Sequence, residues 1–179
     1  CYVTGWTSAN HWALTEQSFR TTVIRTSGTV QASDQRLLDH DYLLAHVPER
    51  DLMWGMAVEW RVGRRIAIAD RARTIVDVRD NPRLGGGIRL VAEFLGAYLE
   101  DQDPLTLIDY ADRVRNRTVF KRLGLLAEHL GGHDDLVTEC ATRLSQGYPL
   151  LDPAQPPGGP RSTRWRIVQN VRLQQGEPS

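Results

Sequence analysis

The sequence predicts an α+β fold: an N-terminal β-rich half, with hairpins and a short helix, packs against a layer of about four to five helices, and a C-terminal strand returns to the sheet. Three observations carry this. Residues 57–78 pass from period-two apolar spacing at Val58, Trp60, Val62, Ile66 and Ile68 to helical spacing at Ala72, Ile75 and Val76. The apolar runs upstream are short and bounded by Gly, Ser or Pro, as strands are. Downstream, helical stripes follow one another with short connections, which suits a helical layer or small bundle.

In chain order, Thr7 or Ser8 can cap a short helix through Ala9, Trp12 and Ala13. Residues 20–26 are β-branched and end at Ser27 and Gly28, a strand signature. Residues 30–41 are polar with little periodicity and read as a loop or a frayed hairpin arm. The apolar run 42–47 stops at Pro48, which cannot donate to a ladder. A hairpin follows, turned at Gly63, and Asp70 stands where a side chain can accept from the free N–H groups of a helix start.

Asn81 and Pro82 close that helix, and Gly85, Gly86 and Gly87 mark a turn. Ile88, Val91, Leu95 and Leu99 form the next stripe. Asp103 and Pro104 open another, carried by Leu107, Ile108, Ala111 and Val114. From Asn116, the positions Val119, Leu123, Leu126 and Leu130 lead to a Gly131–Gly132 cap, and from Asp134 the buried set is Leu136, Val137, Cys140 and Leu144. Residues 147–163 are loop-like and rich in Gly and Pro, and 165–169 resume an apolar alternation as the returning strand. One domain over residues 1–172 is expected, with 173–179 a disordered tail.

With 179 residues and 41% hydrophobic content, the chain can bury a core without metals or disulfides. Lys and Arg number 22 and Asp and Glu 22, so no global field drives it to nucleic acid or membrane. The charges are nonetheless uneven. Arg113, Arg115, Arg117, Lys121 and Arg122 share a stretch without an acid, and residues 161–172 hold arginines without acids, whereas 34–51 is acidic. Two cysteines make no disulfide framework, which fits a reducing cytoplasm. No apolar run is long enough to span a membrane, and the start lacks an export signal. The chain opens without Met on a strand-like segment, so a further domain is expected upstream.

Little in the chain points to catalysis. Gly85, Gly86 and Gly87 before a helix invite a phosphate-loop reading, but no Gly-Lys-Ser/Thr follows and no buried strand precedes. Histidines 11, 40, 46, 129 and 133 make neither an HExxH motif nor a Cys/His pairing, and Cys140 lies on an apolar stripe. No Gly-x-Ser-x-Gly elbow is present. No enzyme, cofactor or metal is expected. The basic residues are the candidates for binding: Arg113, Arg117 and Lys121 are spaced four apart, and Arg64, Arg65, Arg71 and Arg73 cluster at the hairpin and cap. They read either as solvated charges or as contacts for nucleic acid or an acidic partner.

The order of features resembles the C-terminal domain of the AbiEi family, antitoxins of abortive-infection (type IV) toxin-antitoxin systems. The resemblance rests on Tyr2, Val3, Thr4, Gly5 and Trp6 leading to Leu14, Thr15, Glu16 and Gln17. It continues at Ile66, Ile68, Asp70, Arg73, Thr74 and Asp77, where Arg71 and Ala72 replace the family's usual Pro and Glu, so a role for that Glu is not carried over. Asn81 and Pro82, Gly85 to Ile88, Asn116 and Arg117 through Leu130 and Gly131, and Leu151, Asp152, Pro153, Trp165 and Arg166 complete it. The resemblance implies an antitoxin that counters a nucleotidyltransferase-like toxin and supports autoregulation of its operon, with promoter DNA bound mainly by an upstream winged helix. An alternative is a DNA-binding or architectural regulator with no toxin partner.

Overall fold

Asp70 begins the helix on which both halves of the protein rest. In the computed structural model, which describes residues 1–173, that helix is α2, Arg71–Asp80, preceded in chain order by β1 (Tyr2–Val3), α1 (Gly5–His11), β2 (Thr22–Thr26), β3 (Asp34–Leu37), β4 (His40–His46), β5 (Met56–Arg61) and β6 (Arg64–Ala69). It is followed by α3 (Ile88–Leu99), α4 (Thr106–Arg113), α5 (Thr118–Leu130), α6 (Asp134–Ala141), β7 (Arg161–Ser162) and β8 (Ile167–Val168). Asp70 accepts from the Arg73 N–H at 2.8 Å, the expected N-cap bond. Residues 72–79 are all buried, polar ones included, because α1, α3, α4 and α5 close around the helix.

Six strands form one mixed sheet in the order β3-β4-β2-β1-β6-β5. β1 is parallel to β6 and β2 to β4, and the other neighbours are antiparallel. The doubtful stretch 30–41 is a hairpin arm, β3 against β4. The main core joins Val23 and Leu43 from the sheet to the helical stripes, including Ile75, Val91, Leu107, Leu123, Leu136 and Cys140. A smaller cluster of Tyr2, Val47 and Ala69 takes in Leu52, Met56 and Ala67. Along the same row of β5, Val58 and Trp60 run out of cover and are 47% and 68% exposed.

Three expectations are corrected. The short helix starts at Gly5 rather than after Thr7: Thr7 Oγ1 instead accepts from Val23 N–H at 2.9 Å, tying the helix to β2. Residues 165–169 do not return to the main sheet. β8 pairs with β7 in a separate two-stranded sheet, with a parallel bridge from Val168 to Leu150, because Trp165 is drawn onto α5. Of the expected tail, Leu173 packs on the core, and 174–179 lie outside the described residues. Among the described residues, no helix is long and apolar enough to cross a membrane.

Candidate functional site

Four arginines lie in the interior, and α2 collects them. Asp77 Oδ1 accepts from Arg73 Nε at 2.8 Å and from Arg25 Nη1 at 3.1 Å, while its Oδ2 accepts from Tyr2 Oη at 2.9 Å and Thr4 Oγ1 at 2.7 Å. Arg25 also reaches Asp80 Oδ2 at 2.5 Å. Burial opposes the charge on Arg25, but Asp77 and Asp80 outweigh it and hold the guanidinium more firmly protonated than usual. Arg73 is further sandwiched by Trp54, whose ring centroid lies 3.5 Å from its Cζ. Every Asp77 lone pair thus meets a donor from β1, from Thr4 at the start of α1, from β2 or from α2 itself, which makes this cluster a clamp between sheet and helix.

Arg79 and Arg122 are held differently, by carbonyls. Arg122 donates to Leu151 O at 3.0 Å, Leu150 O at 3.0 Å, Arg79 O at 2.8 Å and Asp80 O at 3.1 Å, so a cation from α5 meets the C-terminal carbonyls of α2 and pins the closing segment. Burial pulls its pKa down to about 10. Arg79 donates to Val91 O at 3.1 Å, and its Nε and Nη2 find no partner among the described residues; burial pulls it to about 9.

These contacts decide the fate of the candidate binding residues. Arg73, Lys121 and Arg122 are 1%, 0% and 3% exposed and cannot meet a phosphate. Lys121 donates to Gly147 O at 2.7 Å and Gln146 O at 3.3 Å, and burial lowers its pKa. It shares no surface with Arg113 and Arg117, because α4 ends at Arg113 and the turn before α5 breaks the helical spacing. Arg117 is exposed but pairs with Asp112 at 2.8 Å, and Arg113 lies over the rings of Trp54 and Tyr110. Arg71 pairs with Asp101 at 3.4 Å and stacks on Trp12. Arg115 is exposed.

Arg64 and Arg65 stand apart. They lie on the β5–β6 hairpin, whose residues 61–65 are all exposed, and Arg61 lies directly opposite Arg64 across the turn. Among the described residues, none of Arg61, Arg64 and Arg65 has an ion-pair partner. Like charges facing each other across a hairpin destabilise it, and a polyanion relieves that repulsion. Sequence reasoning missed Arg61. The signal was the two-residue loop itself, since Val62 and Gly63 make residues 61 and 64 the closing pair. Trp60 faces Arg65 in the next pair, so the cations line both faces of the ribbon.

At the triple glycine the protein supplies an anion of its own. Asp152 Oδ2 accepts from Ile88 N–H at 3.0 Å, at the start of α3, and its Oδ1 accepts from Ala154 N–H at 3.0 Å. A side chain on Gly87 would bring a Cβ within 3.2 Å of that carboxylate, on a backbone with φ of 102°. Among the described residues, no three His, Cys, Asp or Glu side chains gather as a metal site. Burial pushes the Cys140 thiol up to about 12, which suits a core residue rather than a nucleophile.

No protein-family model and no curated protein matches the chain.

Proposed function

We propose that the chain is the C-terminal domain of an antitoxin of the AbiEi kind, which counters a nucleotidyltransferase-like toxin in the cytoplasm and strengthens an upstream winged helix's hold on promoter DNA. The observation that supports DNA contact is the hairpin tip, where Arg61, Arg64 and Arg65 are exposed and have no ion-pair partner among the described residues, while the interior arginines are bound to carboxylates or carbonyls. Phosphate contacts of this kind position a protein on the duplex without reading sequence. Two free cysteines, one of them exposed, suit a reducing compartment.

The test is promoter binding by the full-length protein as a function of salt, alongside rescue of cells from the co-expressed toxin. Arg64→Ala with Arg65→Ala is expected to weaken binding alike across sequences. Each lost phosphate contact lowers the log-log salt slope by roughly 0.9. Wild-type affinity with lost rescue would assign the tip to the toxin side of the system. Weakened DNA binding in a protein that rescues from no neighbouring toxin would favour a regulator without a toxin partner. Binding and rescue both unchanged would remove the hairpin from the proposal.

A further inference from the structure

We infer that the open edge of β5 pairs with β5 of a second copy of this chain, antiparallel and about a two-fold axis at Trp60. β5 is an edge strand of the six-stranded sheet. Arg61 and Arg64 close a two-residue turn, so residues 57, 59 and 61 direct their N–H and C=O groups to β6. Met56, Val58 and Trp60 therefore point theirs outward. The two edges of the sheet are treated differently. β3, at the far edge, ends in an exposed Leu37 but is polar at Asp34, Gln35 and Arg36, and Arg83 reaches Asp34 at 2.5 Å, the charged covering that keeps an edge from pairing. β5 carries Val58 and Trp60 on one face, 47% and 68% exposed, and Val62 beside them at the turn.

The charges on β5 select a second copy and set its register. Pairing about Trp60 places Glu59, which lies 3.3 Å from His11 of its own chain, opposite Arg61 of the second copy and Arg61 opposite its Glu59, and the paired segment ends there because Val62 turns away with a positive φ. Pairing about Glu59 or Arg61 would set like charges face to face. Pairing about Val58 would leave both charges opposite residues 57 and 55, without a charge partner. In the Trp60 register the apolar row Met56, Val58, Trp60 runs on into the same row of the second copy, because residues opposite one another in antiparallel strands share a face. The overlap is only a few residues, so the interface belongs with those burying less than about 1,200 Å² and dissociates on dilution. It would also bring two arginine tips together on one particle.

The test is sedimentation velocity over a wide concentration range, with hydrogen exchange of individual amides as a second readout. The wild type is expected to move reversibly from monomer to dimer as concentration rises, with the Val58 and Trp60 amides gaining protection in step. Trp60→Lys changes an exposed side chain and is expected to weaken association by about tenfold or more, with an unchanged thermal melt. Arg61→Glu sets acids opposite Glu59 and weakens it too, while Glu59→Arg combined with Arg61→Glu restores it. A wild type that stays monomeric throughout, an association indifferent to Trp60→Lys, or a double charge swap that fails to restore pairing would each overturn the inference. Protection of the Val58 and Trp60 amides by an added toxin or DNA alone would assign the edge to that partner and overturn it as well.

Discussion

Arg73 Nε donates to Asp77 Oδ1 at 2.8 Å, one turn along α2, with 1% and 0% of their side chains exposed. In a chain on the surface such an i,i+4 pair contributes a few tenths of a kcal/mol. Here the same carboxylate also serves Arg25, Tyr2 and Thr4, so its removal leaves the buried Arg73 without a carboxylate and Arg25 with Asp80 alone. Asp77→Asn is expected to lower the unfolding free energy by about 3 kcal/mol, read from urea titration. A loss below about 1 kcal/mol would mean that Asp80 alone balances Arg25.

Asp70 does two jobs with its two oxygens. Oδ1 caps α2 through the Arg73 N–H, and Oδ2 accepts from Tyr110 Oη at 2.7 Å, which fixes α4 against the start of α2. Burial together with that bond pushes the Tyr110 phenol up to about 12. Asp70→Ala is therefore expected to cost about 2 kcal/mol, above the ~1 kcal/mol typical of a cap alone. Tyr110→Phe in the same background should add little, because the bond is already gone, and a double-mutant cycle reads this directly. Additive losses would mean that the Tyr110 hydroxyl contributes through groups other than Asp70.

Asp70 was legible in the sequence because a cap is a local device: the residue type, the helix that follows and the bond lie within four positions. The helical stripes were legible for the same reason, and the buried sets of α3 to α6 match them except at Leu130, which is 41% exposed, and at Val114 and Leu144, which are only partly buried at the helix ends. The interior arginines were misread because a run of basic residues looks the same whether solvent or carbonyls receive it. A stripe argument partly exposes them: Arg122 stands three after Val119 and four before Leu126, and Arg79 four after Ile75, on the apolar face in both helices. The closing strand was misread because period-two spacing marks an extended segment without naming its partner. That partner is a short local strand, fixed by the docking of Trp165.

Val62 occupies a left-handed backbone position with φ of 49°, followed by Gly63 at 71°, as a two-residue hairpin turn with positive φ at both positions requires. A β-branched residue is poorly suited to that region, where an L side chain crowds the carbonyl oxygen. Val62→Asn is expected to raise the thermal midpoint by relieving this strain, since Asn-Gly is the favoured pair for the turn. Val62 is fully exposed, so no packing is lost. A lowered midpoint would show that the valine makes contacts which outweigh its backbone cost.

Cys140 and Cys1 should separate cleanly under a thiol reagent. Cys1 is exposed and Cys140 is buried among Leu136, Val137 and the other core residues. Native labelling of Cys140 is expected to track unfolding, while Cys1 reacts at once. The pH dependence has a definite sign. With its folded pKa raised to about 12 from an ordinary 9.0, the thiol keeps its proton in the native state while an unfolded chain loses it, so its contribution is whole below pH 9.0 and fades as pH rises from there towards 12. The stability difference between wild type and Cys140→Ala should shrink above pH 9.0; a difference that grows would contradict the burial of the thiol.

Gly124 sits in the middle of α5, where glycine costs roughly 0.5–1 kcal/mol relative to alanine, so helix propensity alone favours Gly124→Ala. The packing opposes it. Trp165 lays Cζ3 and Cη2 of its ring where that Cβ would go, is 1% exposed, and anchors its Nε1 on Glu128 Oε2 at 2.7 Å. An ordered, buried indole cannot step aside as a flexible side chain would, and overpacking of this kind costs about 1–3 kcal/mol. Gly124→Ala is therefore expected to destabilise by about 2 kcal/mol, and Trp165→Ala by about 3–5 kcal/mol through the cavity it leaves. The double variant should lose less than the sum, because the alanine methyl then enters space that the ring has vacated and the helix keeps its propensity gain. If Gly124→Ala stabilised the protein with Trp165 in place, the ring would have moved, and β7–β8 would be free of α5.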